Sequence, residues 1–110
     1  MKAPDRGDLI SLDFDPGAGH EQAKCRPALV LSPAEFNAAF GLAIVCPVST
    51  KPKGHAFEVA LPAGLSVRGV VLTQHVKSLD WLARRARFRE RAPEAVVACV
   101  REIIAEILDL

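Results

Sequence analysis

Most of the side chains in this sequence that could act on a phosphate fall in two loops and a short polar stretch. The run His20-Glu21-Gln22-Ala23-Lys24-Cys25-Arg26-Pro27 sets a carboxylate, a histidine and two cations just ahead of an apolar segment. Arg26 is the most telling of them. It enters the segment through Pro27, which holds it in one place, and its planar guanidinium fork matches a phosphate. An arginine there that merely pairs with Glu21 or a terminal carboxylate would be structural, and composition leaves both readings open. The second loop, Pro47-Val48-Ser49-Thr50-Lys51-Pro52-Lys53-Gly54-His55, offers hydroxyls at Ser49 and Thr50 and ammonium groups at Lys51 and Lys53. These groups suit a phosphodiester, although a plain hairpin with solvated lysines has the same composition. The third stretch, Thr73-Gln74-His75-Val76-Lys77-Ser78, is polar after an apolar strand and offers hydrogen bonds to bases or phosphate.

Other chemistries find no starting point. The sequence has no P-loop, no G-x-G-x-x-G, no H-E-x-x-H and no G-x-S-x-G, so nucleotide, zinc-protease and hydrolase-elbow readings are set aside. Cys25, Cys46 and Cys99 are odd in number and widely spaced, against a disulfide framework or a zinc knuckle. Cys46 and Cys99 lie in apolar runs and are expected to be buried, whereas Cys25 is expected to be exposed. No cofactor and no metal site is expected.

The net charge is only +1, yet the charges are unevenly spread. Lys77, Arg84, Arg85, Arg87, Arg89 and Arg91 face only Asp80 and Glu90 in one stretch, and after Pro93 the acids dominate. A local basic face of this kind can bind phosphate on a nearly neutral protein, and an arginine-rich solvated edge strand fits it equally well.

The elements that must position these groups follow from periodicity. With 110 residues, half of them apolar and a quarter charged, the chain is expected to form one folded domain over 1–110. Asp8 to Phe14 alternates as a half-buried strand, and Ala28–Leu31 and Leu42–Val48 read as strands buried on both faces. Ser32 to Asn37 reads as a helical turn, with Ser32 as cap and Pro33 in the first position. Phe57–Leu61 and Gly69–Thr73 are further strands, Trp81–Ala86 a helical turn and Arg87–Arg91 a basic edge strand. From Pro93 onward Val96, Cys99, Val100, Ile103, Ile107 and Leu108 recur as the stripe of an amphipathic helix. The expected architecture is mainly β, with about six short strands and a C-terminal helix, as an antiparallel barrel-like sheet with a helical lid. No run is long enough to span a bilayer and the N-terminus has no signal-like apolar region, so no membrane association and a cytoplasmic location are expected.

Taken in order, these segments resemble the MazF/PemK family of toxin-antitoxin ribonucleases. The resemblance is carried by Gly7-Asp8-Leu9-Ile10, Asp13-Phe14-Asp15-Pro16, Gly19-His20-Glu21-Gln22 and Arg26-Pro27-Ala28-Leu29-Val30-Leu31-Ser32-Pro33. It continues through Pro47 to Gly54, Phe57-Glu58-Val59 and Val76-Lys77-Ser78-Leu79-Asp80-Trp81. It implies an SH3-like barrel of the MazF/PemK/CcdB type, a homodimer, a cognate MazE-like antitoxin and metal-independent cleavage of single-stranded RNA. In such cleavage the RNA's own 2′-hydroxyl attacks, leaving a cyclic phosphate and a 5′-hydroxyl. The resemblance places the family's catalytic arginine on Arg26, its loop threonine on Ser49 and its acidic loop residue on Glu21. RNA binding then falls to His20, Thr50, Lys51, Lys53, His75 and Lys77. Two departures stand out: Ser49-Thr50 leaves open which hydroxyl serves the phosphate, and Gln74-His75-Val76 replaces a common Asp-Gln-Val. A histidine with a pKa near about 6.5 can move protons at neutral pH, and His20 and His75 are the candidates. The rival functions are a CcdB-like toxin that binds a protein target and an inactive RNA-binding relative.

Overall fold

The structure, a computed structural model, describes residues 2–13 and 25–110. Among these residues, seven strands and two α-helices follow one another as β1 (Asp8–Asp13), β2 (Cys25–Val30), α1 (Ala34–Phe40), β3 (Ala43–Ser49), β4 (Glu58–Ala60), β5 (Val70–Leu72), β6 (Lys77–Leu79), β7 (Arg87–Arg91) and α2 (Glu94–Leu108), with a 3-10 turn at Thr73–His75. The antiparallel strands run in the order β4-β5-β3-β2-β1-β7, and β6 pairs with β3. Among the described residues this path is open, with β4 at one end and β7 at the other.

β3 organises the sheet because it changes partners along its length. It pairs with β2 over Val45–Pro47 and with β6 over Ala43–Val45, then with β5 at Val48 and Ser49. The strand therefore curls the sheet around itself and divides the apolar side chains into two cores. One holds Leu9, Leu29, Cys46, Val48, Val59 and Val71 under α2. The other holds Ile10, Leu12, Ala28, Val30, Val45 and Leu79 under Trp81 and Ala86. Because both faces are covered, β1 is buried from Asp8 to Leu12 instead of half-buried, as alternation alone suggests. Its polar residues are satisfied from β7: Arg89 Nη1 donates to Ser11 Oγ at 2.9 Å and Arg91 Nη1 to Asp8 Oδ1 at 2.8 Å.

Three local expectations are corrected. Ser32 does not cap α1. The helix begins at Ala34 after Pro33, and Asp5 Oδ1 accepts the Ala34 N–H at 2.9 Å. The Ser32 hydroxyl serves the interior instead, accepting the Ile44 N–H and donating to the buried Asn37 amide. Asn37 also donates to the Pro4 carbonyl, and its own carbonyl accepts the Trp81 indole N–H at 2.9 Å. A hydroxyl that satisfies two buried groups is worth more there than at a solvated helix end. Cys99 is exposed, because α2 buries Val96 and Val100 with Val97, Ile103 and Ile104 beside them, a stripe rotated away from Cys99. Ile107 and Leu108, in the last turn of α2, are also exposed. Cys46 is buried as expected, and burial pushes its thiol up to about 12, so it stays neutral and inert. No helix among the described residues is long and apolar enough to cross a membrane.

Candidate active site

Arg26 lies at the start of β2 and is exposed, whereas Ala28, Leu29 and Val30 in the same strand are buried. The β2–β3 ladder runs through Val30↔Val45, Leu29↔Cys46 and Ala28↔Pro47 and then stops. Pro27 and Pro47 each lack an N–H, so consecutive rungs lose a donor where the ladder ends. Carrying the same register two residues further sets Arg26 opposite Ser49. β3 has turned by then toward β5, where Ser49 pairs with Val70. The two strands thus part beyond Pro47, and Arg26 and Ser49 lie at the positions that the continued register would set opposite.

Strand alternation decides which way they point. On β3, Cys46 and Val48 enter the core beneath α2, so Val45, Pro47 and Ser49 face the opposite side. On β2, Leu29 enters that core, so Arg26 and Ala28 share the face of Ser49. Thr50 follows on an exposed bend beyond the strand. The backbone also fixes the Ser49 hydroxyl: its Oγ accepts the Lys51 N–H at 3.0 Å, which leaves the hydroxyl proton available to an external acceptor. On the other flank, Gly69 at φ +123 packs so closely on the Ser49 carbonyl that a Cβ would lie 2.1 Å from its oxygen. Only glycine fits that contact.

The loop after Ser49 is organised by a residue to which the sequence reading gave no role. The Glu58 carboxylate accepts the N–H groups of Lys53 and Gly54 at 2.9 to 3.1 Å. His55 Nε2 stands 3.5 Å from Glu58 Oε2 and 3.2 Å from the Gln74 amide. The Lys53 N–H, with the Gly54 N–H and the charges of His55 and Lys53, holds the Glu58 carboxyl below its ordinary range. The signal in the sequence was a lone acid at a strand start just after a Lys-Pro-Lys-Gly loop, which identifies a loop clamp only once the loop's path is known. Lys51, Lys53, His75 and Lys77 are all exposed. Lys77 pairs with Val45 and so belongs to the Ser49 face of β3, four residues along the strand. Glu21 and His20 lie outside the described residues. Among the described residues no three His, Cys, Asp or Glu side chains group as a metal site.

A curled antiparallel sheet under one helix, with an arginine and a hydroxyl at a splayed strand end, defines a small, mainly β, barrel-like domain. The chain belongs to the PemK-like, MazF-like toxin family of type II toxin-antitoxin systems, whose family model matches residues 5–108. It is 51% identical over 83 residues to the endoribonuclease toxin MazF of Escherichia coli (strain K12), covering 76% of this chain and 74% of that protein. It matches a chain of the crystal structure of MazE-MazF (Form-II) from Deinococcus radiodurans with a TM-score of 0.95 and 51% identity, over 100% of this chain and 99% of that one. A crystal structure of MazF (Form-I) from the same organism matches with a TM-score of 0.91 and 51% identity, over 100% of both chains.

Proposed function

We propose that this chain is the toxin of a type II toxin-antitoxin system, an endoribonuclease that cuts single-stranded RNA without a metal and so inhibits translation and growth. The observation that carries the reading is that Arg26 and Ser49 extend the same face of β2 and β3 just past the end of their shared ladder, in a chain of a family whose relatives are named as endoribonucleases. In the reaction the 2′-hydroxyl oxygen bonds to phosphorus as the bond from phosphorus to the 5′-oxygen breaks. The 2′-hydroxyl proton leaves to a base, and the departing 5′-oxygen gains one. Arg26, charged at any accessible pH, stabilises the negative charge that builds on the phosphorane oxygens. Ser49 donates its free proton to the same oxygens. Glu21 and a histidine, His20 or His75, are proposed for proton transfer and substrate contact, with Thr50, Lys51, Lys53 and Lys77 binding the RNA backbone.

The chain is proposed to act as one domain over 1–110, as a homodimer in the cytoplasm, held silent by a cognate antitoxin. Support for the antitoxin comes from the relative solved as MazE-MazF. The test is to incubate the purified chain with mixed-sequence RNA in EDTA and map both ends of each product. Cyclic phosphate and 5′-hydroxyl ends at a recurring sequence are expected; cleavage that requires added magnesium, or no cleavage, overturns the reading.

A further inference from the structure

We propose that Glu90, on the edge strand β7, is a positioning residue for RNA cleavage: it holds Ser49 in place through the connection from β4 to β5. The inference deepens the ribonuclease reading and rests on it. β4 and β7 are the two ends of the sheet path, and one side chain ties them together. The Glu90 carboxylate accepts the Ser66 N–H at 3.1 Å, the Ser66 hydroxyl at 2.9 Å and the Val67 N–H at 2.6 Å. Ser66 and Val67 lie between β4 and β5. The two ends of that connection are joined by the Leu61 N–H, which donates to the Gly69 carbonyl at 2.9 Å, and Glu90 fixes its middle.

From this clamp the constraint reaches the site within a few residues. Val67 is buried in the core beneath α2, in one cluster with Leu9 and Ala92. Gly69 follows two residues later and lies against the Ser49 carbonyl, too close for any Cβ, and Val70 pairs with Ser49. That contact matters because the β2–β3 ladder has already stopped at Ala28↔Pro47. Among the described residues Ser49 has no strand partner on the β2 side, so its backbone is placed by Gly69 and Val70, and these are placed in turn by the clamped connection. A carboxylate suits the task. The Val67 N–H, then the Ser66 N–H and hydroxyl and the Arg89 charge, hold the Glu90 carboxyl below its ordinary range against the opposing effect of desolvation. Glu90 is therefore ionised at neutral pH and offers two acceptor oxygens to the three donors, whereas an amide offers one oxygen and turns an NH2 group toward a donor.

The experiment compares full-length Glu90→Ala and the milder Glu90→Gln with the unchanged chain, by amide NMR and by the kinetics of RNA cleavage. In Glu90→Ala the amide signals of Gly69 and of Lys51, whose N–H bonds the Ser49 hydroxyl oxygen, are expected to shift. The kcat should fall about tenfold with KM within about twofold, as for a misplaced contact made in the transition state. Glu90→Gln should show the same pattern by a smaller factor, and it decides the matter if Glu90→Ala does not fold. A loss of stability alone would act in any background, whereas the kcat effect should vanish in Ser49→Ala, where the group being positioned is gone. Arg91→Ala, on the neighbouring residue of the same strand, should move neither the two signals nor kcat. The proposal is overturned if the Lys51 and Gly69 signals stay in place, if kcat is unchanged or only KM rises, or if kcat falls by the same factor in Ser49→Ala as in the unchanged chain. The amide measurements need no RNA. If the unchanged chain cleaves nothing, the ribonuclease reading fails, and the two signals still decide whether Glu90 positions Ser49.

Discussion

The chain has two arginine-bearing strand regions, the start of β2 and the strand β7 with its flanking turn, and they use the residue in opposite ways. Around β7 the guanidinium groups are largely spent on the protein. Arg91 binds Asp8 and the Arg6 carbonyl, Arg89 binds Ser11, and Arg84 donates to the Asp13 carbonyl. Arg26 is exposed, and its guanidinium makes no hydrogen bond or ion pair with a described side chain or backbone group. The difference teaches that an arginine count locates charge and that the partners decide its use. A guanidinium satisfied inside the fold stabilises the fold, and one without a partner among the described residues is proposed here to serve a ligand.

The largest effect that can break this comparison is on catalysis. Arg26→Ala should lower single-turnover RNA cleavage by about 1000-fold while changing unfolding free energy by less than about 0.5 kcal/mol. A large loss of stability with cleavage retained would show that Arg26 is structural. Next, Ser49→Ala should slow cleavage roughly 30- to 1000-fold, and Thr50→Ala about tenfold or less, because only Ser49 shares the Arg26 face. Rates in the reverse order would show that alternation breaks before Ser49. Gly69→Ala tests the same site from behind: a Cβ 2.1 Å from the Ser49 carbonyl oxygen must push the strand end away. Cleavage should fall together with stability, the latter by about 2 kcal/mol.

Much of the scaffold was legible because its signals are periodic. The apolar runs of β2 and β3 and the Val96, Val100 and Ile103 part of the α2 stripe each report a face that must be buried, whereas alternation in β1 showed only one of its two buried faces. What escaped has a common physical cause. β6 has only three residues, Lys77–Leu79, too few to show a period, and exists because β3 offers it a vacant edge. Ser32 carries the composition of a helix cap, but its distant neighbours Ile44 and Asn37 claim it. The proposed neighbourhood of Arg26 and Ser49 is a matter of register, and register depends on where two separate prolines interrupt a ladder. The resemblance to the toxin family supplied the two residues, and the sheet supplied the face that they share.

A smaller effect sharpens the β7 side of the comparison. Arg91→Ala removes the 2.8 Å ion pair to Asp8, which is nearly buried on β1, and leaves that carboxylate, among the described residues, with the Asp5 N–H. The arginine end is more than half exposed, so solvent screening limits the loss to about 1 kcal/mol. Urea denaturation should show that loss, with kcat per folded molecule unchanged. A fall in kcat at full folding would place Arg91 in the catalytic machinery and erase the distinction between the two regions.

The smallest expected effect concerns Glu58, which holds the lysine loop next to Ser49 without facing the reacting phosphate in the proposed mechanism. Its carboxylate accepts the Lys53 and Gly54 N–H groups, and the charge matters because those donors favour the ionised form, which keeps its pKa below the ordinary 4.5. For a group whose folded pKa is depressed, the stabilisation is complete above the unfolded value and is lost as pH falls through the folded one. The clamp is therefore intact at neutral pH and relaxes only below about pH 4.5. Glu58→Gln keeps the shape and one acceptor oxygen but removes the charge, so it should mimic that acid state at pH 7. If Lys51 and Lys53 bind the RNA backbone, loosening their loop should raise KM about two- to fivefold and leave kcat nearly constant, the signature of lost ground-state binding. The increase should shrink at high salt, where backbone contacts contribute less. An equal fall in kcat with KM unchanged would mean that Glu58 governs the Ser49 hydroxyl itself, through the Lys51 N–H that the hydroxyl oxygen accepts.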